Sequence, residues 1–177
     1  YRLFEPIVAN CIILSAMDFI NGCMLEQVPN IQDMKLSDSA SSWPYYLRSK
    51  TGSAHAYAFM IFPKEGGIDL SSYIQVIDDI ALFINLANDV LSFYKEYLAG
   101  EQTNYIHNLA FVAQRTVSET LRDVVDETIR ASLRVSKVLK NTDVRALAYW
   151  NRFVNGYLTF HFTETRYRLT ELDLFLE

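Results

Sequence analysis

Three polar residues at helical spacing carry most of the chemistry that this sequence offers. In the segment NDVLSFYKE, residues 88–96, the positions i, i+4 and i+8 are Asn88, Ser92 and Glu96. On an α-helix this spacing puts all three side chains on one face, with Ser92 in the middle. An amide oxygen, a hydroxyl and a carboxylate suit Mg²⁺, which takes its remaining ligands from water and substrate phosphates. Lys95 lies beside this face and is able to pair with a phosphate.

An ordinary solvent-facing helix has a similar pattern. Asn85 and Lys95 join the three residues in one polar arc of about 100°, and apolar side chains fill the rest of the circumference. Between residues 78 and 92 this arc contains Asn, Ser and Asp but no Lys or Arg. Solvated helix faces usually carry Glu and Lys, because Asn and Ser lower helix propensity. This detail favours a functional face and leaves the solvated face as an alternative.

The elements that would position this face are helices, because helical periodicity dominates the sequence and no alternating strand pattern occurs. We predict helices over 3–26, from Pro44 through Phe62 with a break near Gly52, over 73–98, over 106–139 and over 143–162. The expected N-caps are Ser71 or Ser72 for the third helix and Thr142 or Asp143 for the last. A polar loop is expected near 27–43. The predicted fold is an all-α array with mostly short connections.

Composition favours a single globular domain, since half of the 177 residues are apolar and 21% are charged. A net charge of −5 gives no general attraction to nucleic acid or to anionic lipid. We also expect no membrane-spanning segment, because no stretch reaches the length of about eighteen apolar residues that such a segment needs. Cys11 and Cys23 are too far apart on one helix for a disulfide, which suggests a reducing compartment. The predicted location is cytoplasmic.

The segment NDVLSFYKE resembles the second metal-binding motif of class I terpene synthases. The segments MDFINGCMLEQ, WPYYLRSKTG, FPKE, NGYLTFHF and RYRLTEL follow in the order of the fungal trichodiene synthase family, and the resemblance covers nearly the whole chain. It implies a class I terpenoid synthase helical array around a central cavity. It also implies a sesquiterpene cyclase that binds farnesyl diphosphate, ionises it with Mg²⁺, cyclises the carbocation and releases diphosphate.

The resemblance also implies site residues. Asn88, Ser92 and Glu96 would bind one Mg²⁺ ion, and Lys95 would contact the diphosphate. Preorganised positive charge favours departure of this leaving group, and two arginines would contribute to that charge as well.

Further residues match the family around the substrate. Arg48 stands four residues before Gly52. The family's diphosphate-sensing Arg and its helix-break Gly have the same spacing. Thr51 occupies the linker position between them, where some relatives carry Asp or Asn, so its role stays open. Arg166 and Tyr167 match an Arg-Tyr pair that hydrogen-bonds the diphosphate.

The sequence departs from the family pattern at the family's other metal site, an aspartate-rich segment on an earlier helix. Asp78 and Asp79 resemble the start of the family's aspartate-rich segment, but no acid follows over residues 80–83 and both precede Asn88 on one helix. They are therefore interpreted as structural. We expect the aspartate-rich segment upstream of Tyr1, residues 1–177 to be an incomplete C-terminal portion of one domain, and this portion alone to lack cyclase activity.

Other functions and roles remain open on the sequence alone. A chain-elongating isoprenyl diphosphate transferase shares the metal chemistry, and a non-catalytic helical binding module would explain a merely solvated face. A homodimer is a candidate assembly. Four phenylalanines either line a cavity or pack in the core, namely Phe19, Phe59, Phe83 and Phe160. The three histidines lack metal-ligand spacing and are interpreted as packing or surface residues, namely His55, His107 and His161.

Overall fold

A computed structural model of the chain describes residues 2–172, in which there are eight α-helices and no β-strand. The helices are α1 (Pro6–Glu26), α2 (Pro29–Gln32), α3 (Trp43–Thr51), α4 (Ala54–Met60), α5 (Ile77–Leu98), α6 (Tyr105–Val112), α7 (Val117–Thr142) and α8 (Val144–Thr163). Five short 3₁₀ turns connect or follow them, at Lys64–Gly66, Leu70–Ser72, Ile74–Val76, Thr165–Tyr167 and Leu169–Glu171. The predicted all-α fold class is confirmed.

Helix α5 is the centre of the fold and packs against both α4 and α7. Its N-terminal half is buried in the core, where the ring of Phe83 meets that of Trp150 from α8 edge to face, 5.1 Å between centroids. The C-terminal half is more polar and only partly buried. Because close packing fixes the first half, the polar face of the second half is held in a defined direction.

Two predictions about helix boundaries are wrong. The single helix expected over 106–139 is divided into α6 and α7, because Gln114 adopts a left-handed conformation and Thr116 forms a capping box with Glu119. Neither predicted serine caps α5, which begins only at Ile77. Asp69 caps the earlier 3₁₀ turn, Leu70–Ser72. The predicted N-cap Asp143 is confirmed and accepts a hydrogen bond from the backbone N–H of Arg145.

The predicted break near Gly52 separates α3 from α4. The next residue, Ser53, has a left-handed backbone (φ 48°), which turns the chain between the two helices. The hydroxyl of Ser15 on α1 accepts a hydrogen bond from the backbone N–H of Ala56 at 3.0 Å, satisfying one of the free donors in the first turn of α4. Helix α1 thus supports the break that orients α3.

Much of the apolar surface of α1 is exposed. An 18-residue window of this helix has a mean hydropathy of 1.6, so by length and composition it is able to cross a membrane. The expectation that no stretch meets this criterion is therefore wrong, although core helices of soluble proteins meet it too. The absence of membrane binding remains a prediction. Both cysteines on this helix are free, as expected.

Candidate active site

The three expected metal ligands lie on the polar face of α5. Asn88 and Glu96 are partly buried, and Ser92 between them is only 2% exposed. The hydroxyl of Ser92 is enclosed and has no hydrogen-bond partner among residues 2–172. A buried hydroxyl without a partner is uncommon in native proteins. The central position of the motif therefore has an oxygen that is free to bind a ligand.

The carboxylate of Glu96 is held at the other end of this face. Its Oε1 accepts from the Nζ of Lys95 at 3.0 Å, and its Oε2 accepts from the Nδ2 of Asn104 at 2.9 Å. Lys95 therefore pairs with the expected metal ligand in this state. A phosphate beside Glu96 would lie within reach of the same ammonium group.

The side chain of Arg48, the residue that matches the family's diphosphate-sensing Arg, extends from α3 to the metal-ligand face of α5. Its Nε donates to both carboxylate oxygens of Asp89, at 2.7 and 2.8 Å. Its Nη2 donates to the backbone oxygen of Asn85 at 3.1 Å and to the Oδ1 of Asn88 at 3.3 Å. Burial raises the pKa of Asp89 to about 6, although the Arg48 guanidinium opposes the shift. Asp89 was not predicted as a site residue. The sequence feature that could have indicated it is its position directly after Asn88.

A cavity of about 220 Å³ opens beside Glu96, whereas Asn88 and Ser92 are not among the described residues that line it. Arg48 and Glu96 both line it, together with Glu26, Pro44, Leu47, Thr51, Asp89, Glu101, Thr103, Asn104, Tyr105 and Asn108. The lining thus contains four carboxyl groups and one guanidinium. Burial raises the pKa of Glu26 within this acidic surrounding. A bare diphosphate would be repelled here, so any anionic ligand needs accompanying cations.

Arg166 and Tyr167 lie in a 3₁₀ turn that packs against α5 and α8. Tyr167 is buried and its ring centroid lies 4.5 Å from that of His161. The guanidinium carbon of Arg166 lies 5.2 Å from the centroid of the Tyr167 ring. In the part of the chain that the structure describes, Lys95, Arg166 and Tyr167 are not among the residues that line the cavity.

Asn85 belongs to the predicted polar arc but was not predicted as a site residue. It is 1% exposed, and neither its amide nitrogen nor its amide oxygen has a hydrogen-bond partner within residues 2–172. Its Oδ1 lies so close to Gly52 that a Cβ at that glycine would overlap it. The helix break thus contacts α5 one turn before Asn88. The signal was the position of Asn85, three residues before Asn88 on the same face.

The residues present fit a hard cation that is bound partly by its substrate. Within the described residues, no group of three His, Cys, Asp or Glu side chains comes together as a complete metal site. The α5 set offers one carboxylate, one amide oxygen and the unpartnered Ser92 hydroxyl. Such a set leaves most ligand positions of Mg²⁺ to water and phosphate, as is usual for this ion in phosphate-binding enzymes.

The aspartates at the start of α5 have structural partners. Asp78 contacts the Nε2 of His55 at 3.0 Å, and Asp79 pairs with the Nη2 of Arg134 at 2.7 Å. Their negative charge also suits a helix N-terminus. These contacts agree with the structural interpretation of both residues.

The four candidate phenylalanines divide into two pairs. Phe59 and Phe83 are buried in the core, whereas Phe19 and Phe160 are exposed.

A family model and several known proteins match this chain. The family model described as Trichodiene synthase (TRI5) matches residues 1–174. The chain belongs to the trichodiene synthase family. The resemblance stated from the sequence is therefore confirmed.

Relatives in this family include Terpene synthase BipA of Cochliobolus sativus, which is 42% identical over 94% of this chain and 51% of its own length. Terpene synthase 29 of Postia placenta is 40% identical over 96% of this chain and 48% of its own length. Trichodiene synthase of Trichoderma arundinaceum is 31% identical over 90% of this chain and 41% of its own length. The chain spans about half the length of the relatives that it matches.

Proposed function

We propose that the protein to which this chain belongs is a sesquiterpene cyclase. It would ionise farnesyl diphosphate with Mg²⁺, cyclise the carbocation and release diphosphate. Membership of the trichodiene synthase family and the terpene synthase names of the relatives support this reaction class.

The unpartnered hydroxyl of Ser92 is the observation that carries the proposal. It is buried on the same face of α5 as two other oxygen-bearing side chains, Asn88 and Glu96. A solvated helix face would not bury a hydroxyl and leave it without a partner, because desolvating it costs about 1–3 kcal/mol. A bound cation would supply the missing partner and neutralise part of the diphosphate charge.

The basic residues of the site would hold the leaving group. Arg48 carries a planar fork of donors that matches phosphate oxygens, and it already lies on the cavity wall. Lys95 lies beside Glu96, within reach of a phosphate bound there. Arg166 and Tyr167 pack next to α5 and would add further donors. Together they place positive charge where negative charge develops as the carbon–oxygen bond breaks.

Two assays of the full-length protein distinguish this function from its alternatives. Calorimetric titration of inorganic diphosphate with and without Mg²⁺ should show binding only with the metal; binding in neither condition would favour a non-catalytic module. Gas chromatography of products from farnesyl diphosphate should show a cyclic hydrocarbon. If product forms only when isopentenyl diphosphate is added and is a longer prenyl diphosphate, the protein is a chain-elongating transferase.

Two substitutions test the residue roles. Glu96→Gln should raise the Mg²⁺ concentration needed for half-maximal turnover, whereas Glu101→Gln removes the same charge from the same cavity and should raise it much less. Arg166→Ala should lower turnover about 10²–10³-fold, as loss of one preorganised donor typically does. Its matched control is Arg168→Ala, whose side chain is exposed and pairs with Glu171. Equal effects of test and control variants would contradict the proposed roles of Glu96 and Arg166.

A further inference from the structure

His161 occupies a position that an ordinary packing residue would not need to fill with a polar ring. It lies on α8, is 1% exposed, and its ring centroid is 4.5 Å from those of both Tyr157 and Tyr167. An imidazole buried among aromatic rings loses its hydration, so both ring nitrogens need partners. Both have one, and the second partner belongs to the metal-ligand face.

The hydrogen bonds of His161 determine which nitrogen carries the proton. Its Nδ1 lies 2.8 Å from the backbone oxygen of Tyr157, which only accepts, so Nδ1 carries the hydrogen. Its Nε2 lies 3.2 Å from the Nδ2 of Asn88, a nitrogen that only donates, so Nε2 accepts and the ring is neutral. Burial lowers the pKa of His161, in agreement with this arrangement.

The amide of Asn88 is thereby held from two sides. Arg48 only donates, so the atom that faces it at 3.3 Å must be the amide oxygen. The acceptor nitrogen of His161 requires the amide NH₂ on the opposite side. One orientation of the amide, whose two ends have nearly the same shape, satisfies both contacts.

Binding of the diphosphate would remove one of these two restraints. In the proposed function, Arg48 donates to the diphosphate and the Oδ1 of Asn88 binds Mg²⁺. Once Arg48 has turned to the phosphate, the contact with His161 is what keeps the amide NH₂ away from the cation. A flipped amide would point two N–H donors at the metal and lose the ligand.

We propose that His161 is a positioning residue for metal binding, whose acceptor nitrogen holds the amide of Asn88 with its oxygen toward the cation. The inference rests on the proposed function, because it presumes that Asn88 is a metal ligand. Residues that orient a metal ligand in this way typically change metal affinity or activity about 10–100-fold when mutated.

The test compares two substitutions of His161 in the full-length protein. His161→Phe keeps an aromatic ring in the stack but removes the acceptor, whereas His161→Gln keeps an acceptor that is able to reach Asn88. The measurements are the Mg²⁺ concentration that gives half-maximal binding of inorganic diphosphate, by calorimetry, and the thermal unfolding midpoint. Phe153→Leu is the packing control, since Phe153 stacks on Tyr157 in the same row of rings and has no polar group.

A third arm uses Asn88→Asp as a background. Aspartate has two equivalent oxygens and no amide to orient, so His161→Phe should not raise the Mg²⁺ requirement further there. This comparison is a double-mutant cycle, which measures the coupling between the two side chains directly.

We expect His161→Phe to raise the required Mg²⁺ concentration about 10–100-fold, with His161→Gln and Phe153→Leu close to the unsubstituted protein. An unchanged Mg²⁺ requirement in His161→Phe would overturn the inference, and so would an equal increase in the Asn88→Asp background. If the unsubstituted protein shows no Mg²⁺-dependent diphosphate binding at all, the proposed function itself fails. The two failures are therefore distinguishable.

Discussion

Replacing Gly52 with alanine tests whether the helix break and α5 fit together as closely as the structure indicates. A Cβ at Gly52 would overlap the Oδ1 of Asn85 and lie 2.5 Å from the Nη1 of Arg48. Asn85 is 1% exposed, so its amide has little room to move away. Arg48 is held by its two hydrogen bonds to Asp89, so it has to weaken this pairing or α3 has to shift.

The expected change in the free energy of unfolding is the balance of two opposing effects. Inserting a methyl group into a packed contact typically costs about 1–3 kcal/mol. The backbone of Gly52 (φ −100°, ψ −10°) is accessible to alanine, so no backbone strain is added. Alanine also restricts the unfolded chain, which stabilises a protein by about 0.4–1 kcal/mol. We therefore expect Gly52→Ala to lower the free energy of unfolding by about 1–2 kcal/mol, and to weaken Mg²⁺-dependent diphosphate binding because Arg48 is displaced.

Urea unfolding of the full-length protein measures this effect, with Gly156→Ala as the control. No atom lies within 4 Å of a Cβ at Gly156, which is inside α8. Alanine there should stabilise the protein by about 1 kcal/mol through helix propensity. Combining Gly52→Ala with Asn85→Ala should recover part of the lost stability, because the nearer of the two obstructing groups is then absent. A Gly52→Ala variant as stable as the control, or no recovery in the double variant, would refute the reasoning.

Three further predictions concern other parts of the molecule. Thr116→Ala removes the capping box of α7 and should lower the free energy of unfolding by about 1 kcal/mol, while Mg²⁺-dependent diphosphate binding stays unchanged; a change in that binding would contradict a purely structural role. Asp89→Ala leaves the partly buried Arg48 without its carboxylate and should cost about 3 kcal/mol in urea unfolding; a cost below that of Thr116→Ala would show that the ion pair contributes little. Diphosphate at about 100 times its dissociation constant should raise the free energy of unfolding by about 2.7 kcal/mol with Mg²⁺ present and not after chelation with EDTA; equal stabilisation in both conditions would contradict metal-dependent binding.

The sequence alone predicted the all-α class and the shared face of Asn88, Ser92 and Glu96. Both follow from local geometry, since helical periodicity fixes which side chains within a few turns lie together. It also contained the boundary between α6 and α7, because the residues TVSE from Thr116 to Glu119 have the spacing of a capping box. That boundary was missed because apolar periodicity on both sides suggested a continuous helix.

Only the tertiary structure decided which distant residues meet this face. Arg48 and Asp89 are 41 residues apart, and Asn88 and His161 are 73 residues apart. No spacing rule connects such positions, because their contact depends on how α3, α5 and α8 pack. Burial also decided that the hydroxyl of Ser92 has no partner in the described chain, although its place on the helix face was predictable. The sequence thus determined which side chains point in one direction, and packing determined what they contact there.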